Sequence, residues 1–515
     1  MRAVIGIDYG TQSARAILVN AENGEVLCSH SVSHPHGIWE GGLVSADDYE
    51  AALYQLLEAV TPEEYKKDIE GICVDATSLT LVPMAADGRV LSQLPGMTER
   101  HHAQIKLWKY HGAQTQAEEA LALAKELGEK FLGRTGGSLS CEWTLPKLLQ
   151  IRDEDPESYA QIDIALDLCE FLTLRLTGKI TRSVAAMGFK GLWFEDLGFP
   201  SDEFLNGIRP GFAEEYKNLM RGTVARPGDK MGYLKPELCQ KLGLREDVAV
   251  ATGTIDGHTS LVAMGAMEKG DAALVVGTSN VVTVQMERMC ELEGICGVVK
   301  DGLAPGVYGL EGGQGCTGDM LDWYLKNMLG GEIQKEAKDR DVSPHQVLME
   351  KVKNPWTNEV VVADWWNGSR NMPCDLSLRG TIYGLSLNTR AEDIYLALLQ
   401  SIVCGTREIL EKLEESGIAV TKVLATGGIT KKNPLLMQEY ANLLNRTIYV
   451  GQVSEGPALG SAIFAAVAAG IYENPMDAYA HMGIKEFITY EPDSEHRAEY
   501  EVLYRKNHDL RVRNS

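Results

Sequence analysis

The chain has 515 residues, 44% of them apolar and 23% charged, and acidic residues outnumber basic ones 72 to 49 for a formal charge of −23. That length exceeds a single hydrophobic core and calls for two or three domains, while the charge repels phosphate backbones and excludes nucleic acid and anionic membrane surfaces as partners. The ten cysteines are scattered without a C-x-x-C pair, which argues for a reducing compartment and against structural zinc.

At the N-terminus, "VIGIDYGTQSARAILV" (residues 4–19) reads as strand, small polar turn, strand, and "GEVLCSHSV" adds a third strand to an antiparallel meander. Asp8 interrupts the opening apolar run, so no signal peptide is expected. "ADDYEAALYQLLEAV" has helical periodicity, and "IEGICVDATS" after it reads as a buried strand. Helical pattern dominates residues 112–175, through "DIALDLCEFLTLRLTG". Near residue 246, in "LGLREDVAVATG", a helix ending at Gly243 gives way to a new buried strand, and the expected domains are 1–246 and 247–515. "AALVVGTSNVVTVQM" (272–286) then repeats the opening strand, Gly-Thr turn and strand, which suggests two related domains. "KVLATGGITKKNPLLMQEYANLLN" reads as a strand, a glycine pair and a helix with Pro434 in its first turn. "GPALGSAIFAAVAAGIY" is a small-residue helix suited to close packing, and it is too short to span a membrane.

Gly10-Thr11 and Gly277-Thr278 each offer backbone N–H groups and a hydroxyl to an anion, because glycine permits close approach. Asp8, ending its strand, is placed to hold a metal-bound water near such a phosphate. An ordinary hairpin turn is the competing explanation for each. Asp256, after a buried strand and where a helix begins, is a candidate general base at the domain junction or a helix N-cap; His258 is a weaker candidate for the same task. Gly313, Gly315 and Gly318 satisfy G-x-G-x-x-G, but more helix follows in place of a βαβ unit, so a dinucleotide site is not expected. A glycine-rich helix start near phosphates is. No G-x-x-x-x-G-K-[ST] sequence occurs, so a nucleotide must be held by turns and glycine pairs.

Together, Asp8-Gly10-Thr11, Gly277-Thr278 and Gly427-Gly428 resemble the two phosphate motifs and the adenosine motif of the actin-like ATPase fold. With Asp256 and "GTIYGLSLNTRAEDIYLALLQ" (380–400), the chain is identified as similar to the FGGY carbohydrate kinases over residues 3–507. "CEWTLPKLLQI" keeps Lys147-Leu148 of that family's N-terminal signature but lacks its tryptophan. "VDATSLTLVPMAADG", "LWKYHGAQTQAEE", "SCEW", "GFKGLW", "YGLEGGQG" and "ADWWNGSRNMP" look like the ribulokinase branch. Departures are Tyr110 at a usual aspartate, Thr98 at a usual alanine, and a less basic "NGSRNMP".

The resemblance implies an α/β protein of two ribonuclease-H-like domains with a cleft between them. Asp256 would be the catalytic base. Lys190, Glu311 and Thr98 would bind sugar. Gly10, Thr11, Arg15, Gly277, Thr278, Gly318, Gly427, Gly428 and Asn433 would hold ATP, and Asp8 would position Mg²⁺. The implied reaction is ATP-dependent phosphorylation of a ketopentose at its terminal hydroxyl, first of all L-ribulose. Xylulokinase or another ketose or polyol kinase is the alternative within the family, and an actin- or chaperone-like ATPase without sugar substrate the alternative outside it. A homodimer is left open, and the expected location is cytoplasmic.

Overall fold

The computed structural model describes residues 1–295, 297–372, 374–375, 377–452 and 455–514. The first meander forms as expected: β1 (Ala3–Tyr9), β2 (Ser13–Asn20) and β3 (Val26–Ser33) pair antiparallel in sequence, and β1 also pairs parallel with β4 (Ile69–Ala76). Beside β4 lies β5 (Ala249–Ala251), again parallel, giving the order β3-β2-β1-β4-β5. The helix Pro236–Leu242 does end at Gly243, whose φ of +70° suits glycine, but the strand after it completes the first sheet and does not begin the second.

The second sheet repeats the plan. β6 (Asp271–Val276), β7 (Asn280–Met286) and β8 (Tyr308–Gln314) form the antiparallel meander, and β9 (Lys422–Thr426) and β10 (Ile448–Gly451) add parallel to β6, for the order β8-β7-β6-β9-β10. Two copies of one topology half a chain apart make each Gly-Thr turn the tip of an equivalent hairpin. Strands β1 and β6 are buried on both faces, which is why they read as nearly continuous apolar runs, whereas the edge strand β3 is largely exposed.

One stretch departs from expectation. Residues 164–167 of the "DIALDLCEF" segment form a strand pairing with Leu81–Met84 in a separate four-stranded sheet, and the helix starts only at Leu168. Asp167 and Glu170 form a capping box there, a start signal that outranks the apolar periodicity before it. The nine described cysteines are free thiols; Cys296 lies outside the described residues. Among the described residues, no helix is long and apolar enough to cross a membrane.

Four helices carry or support the cleft: α1 (Val184–Lys190), α2 (Asp256–Met264), α3 (Gly318–Asn327) and α4 (Gly456–Ala468). Helix α4 leaves the second sheet after β10 yet packs on β1 and β4 of the first sheet and against α2. Small residues make this approach possible. A Cβ on Gly460 would lie 1.9 Å from the Thr259 carbonyl oxygen, and one on Gly6 would lie 1.8 Å from that of Ala458. Gly460→Ala is therefore expected to destabilise the fold by about 1–3 kcal/mol, the range for overpacking, read as a lower midpoint in denaturant unfolding. Gly428→Ala, where the added methyl meets open space, should leave the midpoint unchanged.

Candidate active site

A cavity of about 630 Å³ opens between the two sheets, lined on one side by Thr11, Thr77, Ser78, Leu79, Trp108, Glu142 and Lys190 and on the other by Asp256, His258, Gly277, Thr278 and Glu311. Its size falls within the range of small-molecule sites. It brings together six of the expected site residues: Thr11, Lys190, Asp256, Gly277, Thr278 and Glu311.

Asp256 is the first residue of α2, and its Oδ1 accepts the Gly257 N–H at 2.7 Å. The N-cap position belongs to Ile255, so the carboxylate is not the helix cap that its sequence context also allowed. Burial, reinforced by the neighbouring Asp8 carboxyl, pushes its pKa up to about 7. A carboxylate poised there exchanges protons readily at neutral pH.

Glu311, on β8, joins two cationic or polar partners. Its Oε1 accepts from Lys190 Nζ at 2.5 Å, and its Oε2 meets His258 Nε2 at 2.8 Å. Burial raises the carboxyl, but the Lys190 ammonium and the His258 contacts outweigh it and hold Glu311 well below the usual carboxylate range. His258 is thus a partner of Glu311 more than a rival base, with Phe189 edge-on to its ring at 5.0 Å.

The two Gly-Thr turns are each closed by the glycine's own N–H, the first being one residue longer than the second. The Gly10 N–H donates to the Ser13 carbonyl at 3.0 Å, and the Gly277 N–H to that of Ser279 at 2.8 Å. Helix α3 starts on the second turn: the Gly318 N–H donates to the Gly277 carbonyl at 3.1 Å, and Thr317 Oγ1 donates to the same oxygen at 2.7 Å. A Cβ on Gly427, whose φ is +109°, would lie 2.4 Å from the Val276 carbonyl oxygen, so the third glycine motif also abuts this hairpin. The Gly313-Gly315-Gly318 pattern runs from a strand into a helix, but β8 pairs antiparallel, which excludes a Rossmann turn. Thr278→Val, nearly isosteric, is expected to weaken nucleotide binding or lower kcat without shifting the melting temperature; normal kinetics with lower stability would reduce the turn to a hairpin.

Asp8 stands in register beside Asp75 on the adjacent parallel strand. Burial pushes both carboxyls up; the Asp8 charge raises Asp75 further, whereas a hydrogen bond with Asp75 and then the Arg15 guanidinium offset part of the rise at Asp8. Asp75 Oδ2 accepts from Ser461 Oγ of α4 at 2.6 Å. Two hard oxygen donors side by side on adjacent strands fit a divalent cation, although no group of three or more such side chains among the described residues encloses one unaided.

Eight expected site residues do not line the cavity: Asp8, Gly10, Gly318, Gly427 and Gly428 lie on or against the hairpins just described, whereas Thr98, Arg15 and Asn433 are engaged elsewhere. Thr98 is exposed, and its carbonyl accepts from Gln104 Nε2 at 2.6 Å; Ser78 and Leu79 line the wall instead. Arg15 pairs with Glu455 at 2.6 Å and donates to Ser31, tying β2 to the residue before α4. Asn433 caps the helix Pro434–Leu444 through Oδ1 and gives its amide N–H to the Tyr395 hydroxyl. Tyr110 is buried away from the cavity, its hydroxyl donating to Gln150.

Sequence reasoning missed Asp75, Trp108, Glu142 and Arg370. Trp108 Nε1 donates to Thr11 Oγ1 at 3.2 Å, and the Arg370 guanidinium lies 5.7 Å from the centre of its ring. Glu142 accepts from Arg370 at 2.8 Å and meets His111 Nε2 at 3.0 Å, an ion pair across the cleft between residues 228 apart in sequence.

Comparison with known proteins agrees with this geometry. Residues 3–263 match the N-terminal domain, and residues 272–469 the C-terminal domain, of the FGGY family of carbohydrate kinases. The chain is 36% identical to a ribulokinase of Anoxybacillus flavithermus and 36% identical to one of Halalkalibacterium halodurans, in each case over 98% of this chain and 93% of the relative. Its fold superposes on a ligand-bound xylulose kinase from Lactobacillus acidophilus with a TM-score of 0.81 at 18% identity, covering 100% of this chain and 98% of that one. Two ribonuclease-H-like sheets, a cleft between them and full-length matches on both sides make this chain a member of the FGGY family of carbohydrate kinases.

Proposed function

We propose that the enzyme transfers the γ-phosphoryl group of ATP to the terminal primary hydroxyl of L-ribulose, giving L-ribulose 5-phosphate. The observation that carries this reading is the convergence, in one cavity, of a carboxyl with a pKa near 7, a buried Lys190–Glu311 pair and a Gly-Thr turn from each sheet. Lys190 supplies a donor and Glu311 an acceptor to sugar hydroxyls, which must exchange water for protein partners on entering the cleft. Asp256 accepts the proton of the attacking hydroxyl as its oxygen approaches the γ-phosphorus in line. Amides and hydroxyls of the turns at Thr11 and Thr278 take up charge on the transferring group.

Asp8, with Asp75 beside it, would hold Mg²⁺, which supplies charge neutralisation to the β- and γ-phosphates. The functional division we favour is sugar mainly on the first sheet's lobe and nucleotide mainly on the second's, the boundary falling after α2 and not at residue 246, with Glu311 as the second lobe's contribution to the sugar site. The acidic surface, the free thiols and the use of ATP support a cytoplasmic location without nucleic-acid or membrane partners.

A panel of ketoses and polyols in a coupled ADP-release assay tests the substrate. L-ribulose is expected to give the highest kcat/KM, with D-ribulose and xylulose behind it. Preference for glycerol or an aldohexose over every ketopentose would overturn the ribulose assignment, and ATP turnover indifferent to sugar would favour a motor-like ATPase.

A further inference from the structure

Leu79 lines the cleft in the left-handed backbone region, at φ +63°. Leucine adopts that conformation rarely, since its side chain crowds the following carbonyl, so something must hold it there. The Leu79 carbonyl accepts from Lys147 Nζ at 2.7 Å. Lys147 projects from the helix Thr144–Glu154 and is fully buried. Its ammonium also donates to the Leu107 carbonyl at 2.8 Å and reaches that of Lys106 at 3.4 Å. No carboxylate lies within ion-pair distance of it among the described residues, so three carbonyls replace its water. An ammonium is an expensive group to bury merely to satisfy carbonyls that irregular backbone could turn elsewhere.

What the three carbonyls share is their position. Leu79 follows Ser78, whose buried hydroxyl lines the cavity with no protein partner among the described residues. Leu107 precedes Trp108, which lines the same cavity and bonds Thr11 of the first phosphate turn. One buried cation thus fastens two wall segments that reach the cavity from loops after different strands.

We propose that Lys147 is a positioning residue for the sugar: it fixes Leu79 in the left-handed conformation and sets the Ser78–Leu79 wall in register with Trp108. This rests on the cleft being the ketopentose site. Steady-state kinetics with L-ribulose and ATP test it. Lys147→Met is expected to raise the sugar KM tenfold or more while the ATP KM stays within twofold. Adding Leu79→Gly to Lys147→Met should recover part of that loss, because glycine holds a positive φ without help, even though a wall side chain is removed. A second pair needs no change at Lys147. Leu79→Val should raise the sugar KM more than Leu79→Ala, although valine keeps more of the side chain, since a β-branched residue resists positive φ more strongly; this pair decides the matter if Lys147→Met fails to fold. Parallel rises in both KM values, no change in either, or valine milder than alanine would overturn the role. A wild-type enzyme inactive on every ketopentose would sink the substrate reading and this role with it, whereas an active wild type with those variant results sinks this role alone.

Discussion

Asp256→Asn is expected to lower kcat by about 10²- to 10⁴-fold, the range for loss of a general base, while nucleotide binding persists. The substitution keeps shape and the Gly257 contact but removes the lone pair that takes the proton. The same carboxyl sets the acid limb of the pH profile. With its pKa pushed up to about 7 by burial and by Asp8, the base is protonated and idle below that value, so kcat/KM should fall roughly tenfold per pH unit on the acid side. Stability moves the other way. The folded carboxyl keeps its proton up to about pH 7, whereas the unfolded chain loses it near ~4. The stability this contributes is full below ~4 and drains away as pH rises through that window. Asparagine escapes the loss, so the variant should melt no lower than wild type at pH 8, and higher if anything. A variant keeping more than about half of wild-type kcat would strip Asp256 of the role.

Lys190→Met should raise the sugar KM by about 10²-fold or more and leave the ATP KM nearly intact. The lysine is 7% exposed and its nitrogen sits 2.5 Å from Glu311 Oε1, so the change leaves a buried carboxylate with the His258 contact in place of the ion pair. Breaking a buried pair from one side costs about 3–5 kcal/mol, part of it in folding and part in recognition. Removing both members tests the apportionment: Lys190→Met with Glu311→Leu should be more stable than Lys190→Met alone, yet no better at binding sugar. Sugar and ATP KM rising together in Lys190→Met would mean that the pair braces the cleft and does not meet the substrate.

The sequence carried the two hairpins, because each combines continuous apolar strands with a turn that only small residues fill. It carried Asp256 as a candidate base alongside an N-cap reading, because the residue stands where a buried strand meets a helix. Lys190 and Glu311 had no local signature and came only through family likeness. Asp75 hid inside a buried strand, where a single acid looks like an exception to the core. Glu142 and Arg370 could not be paired by any local pattern, since their contact spans 228 residues. Thr98 and Asn433 stand outside the cavity lining for the opposite reason. Their motifs are local, but one side chain ends on the surface and the other is consumed by a helix cap.

The tight seat of α4 against α2 bears on how the two lobes can move. Gly460 brings the helices to backbone contact at Thr259, leaving no layer of side chains to slide over, so the pair behaves as a bearing and the lobes as levers turning on it. Displacement grows with distance from a bearing. Asp256, one turn from Thr259 on the same helix, should then move little, and the Ser461–Asp75 hydrogen bond should persist. The Glu142–Arg370 bridge, which joins the two cavity walls, should take most of the displacement. Opening and closing should therefore govern how long ligands stay, through the outer bridge, while the bond-making groups at the pivot remain aligned throughout the cycle.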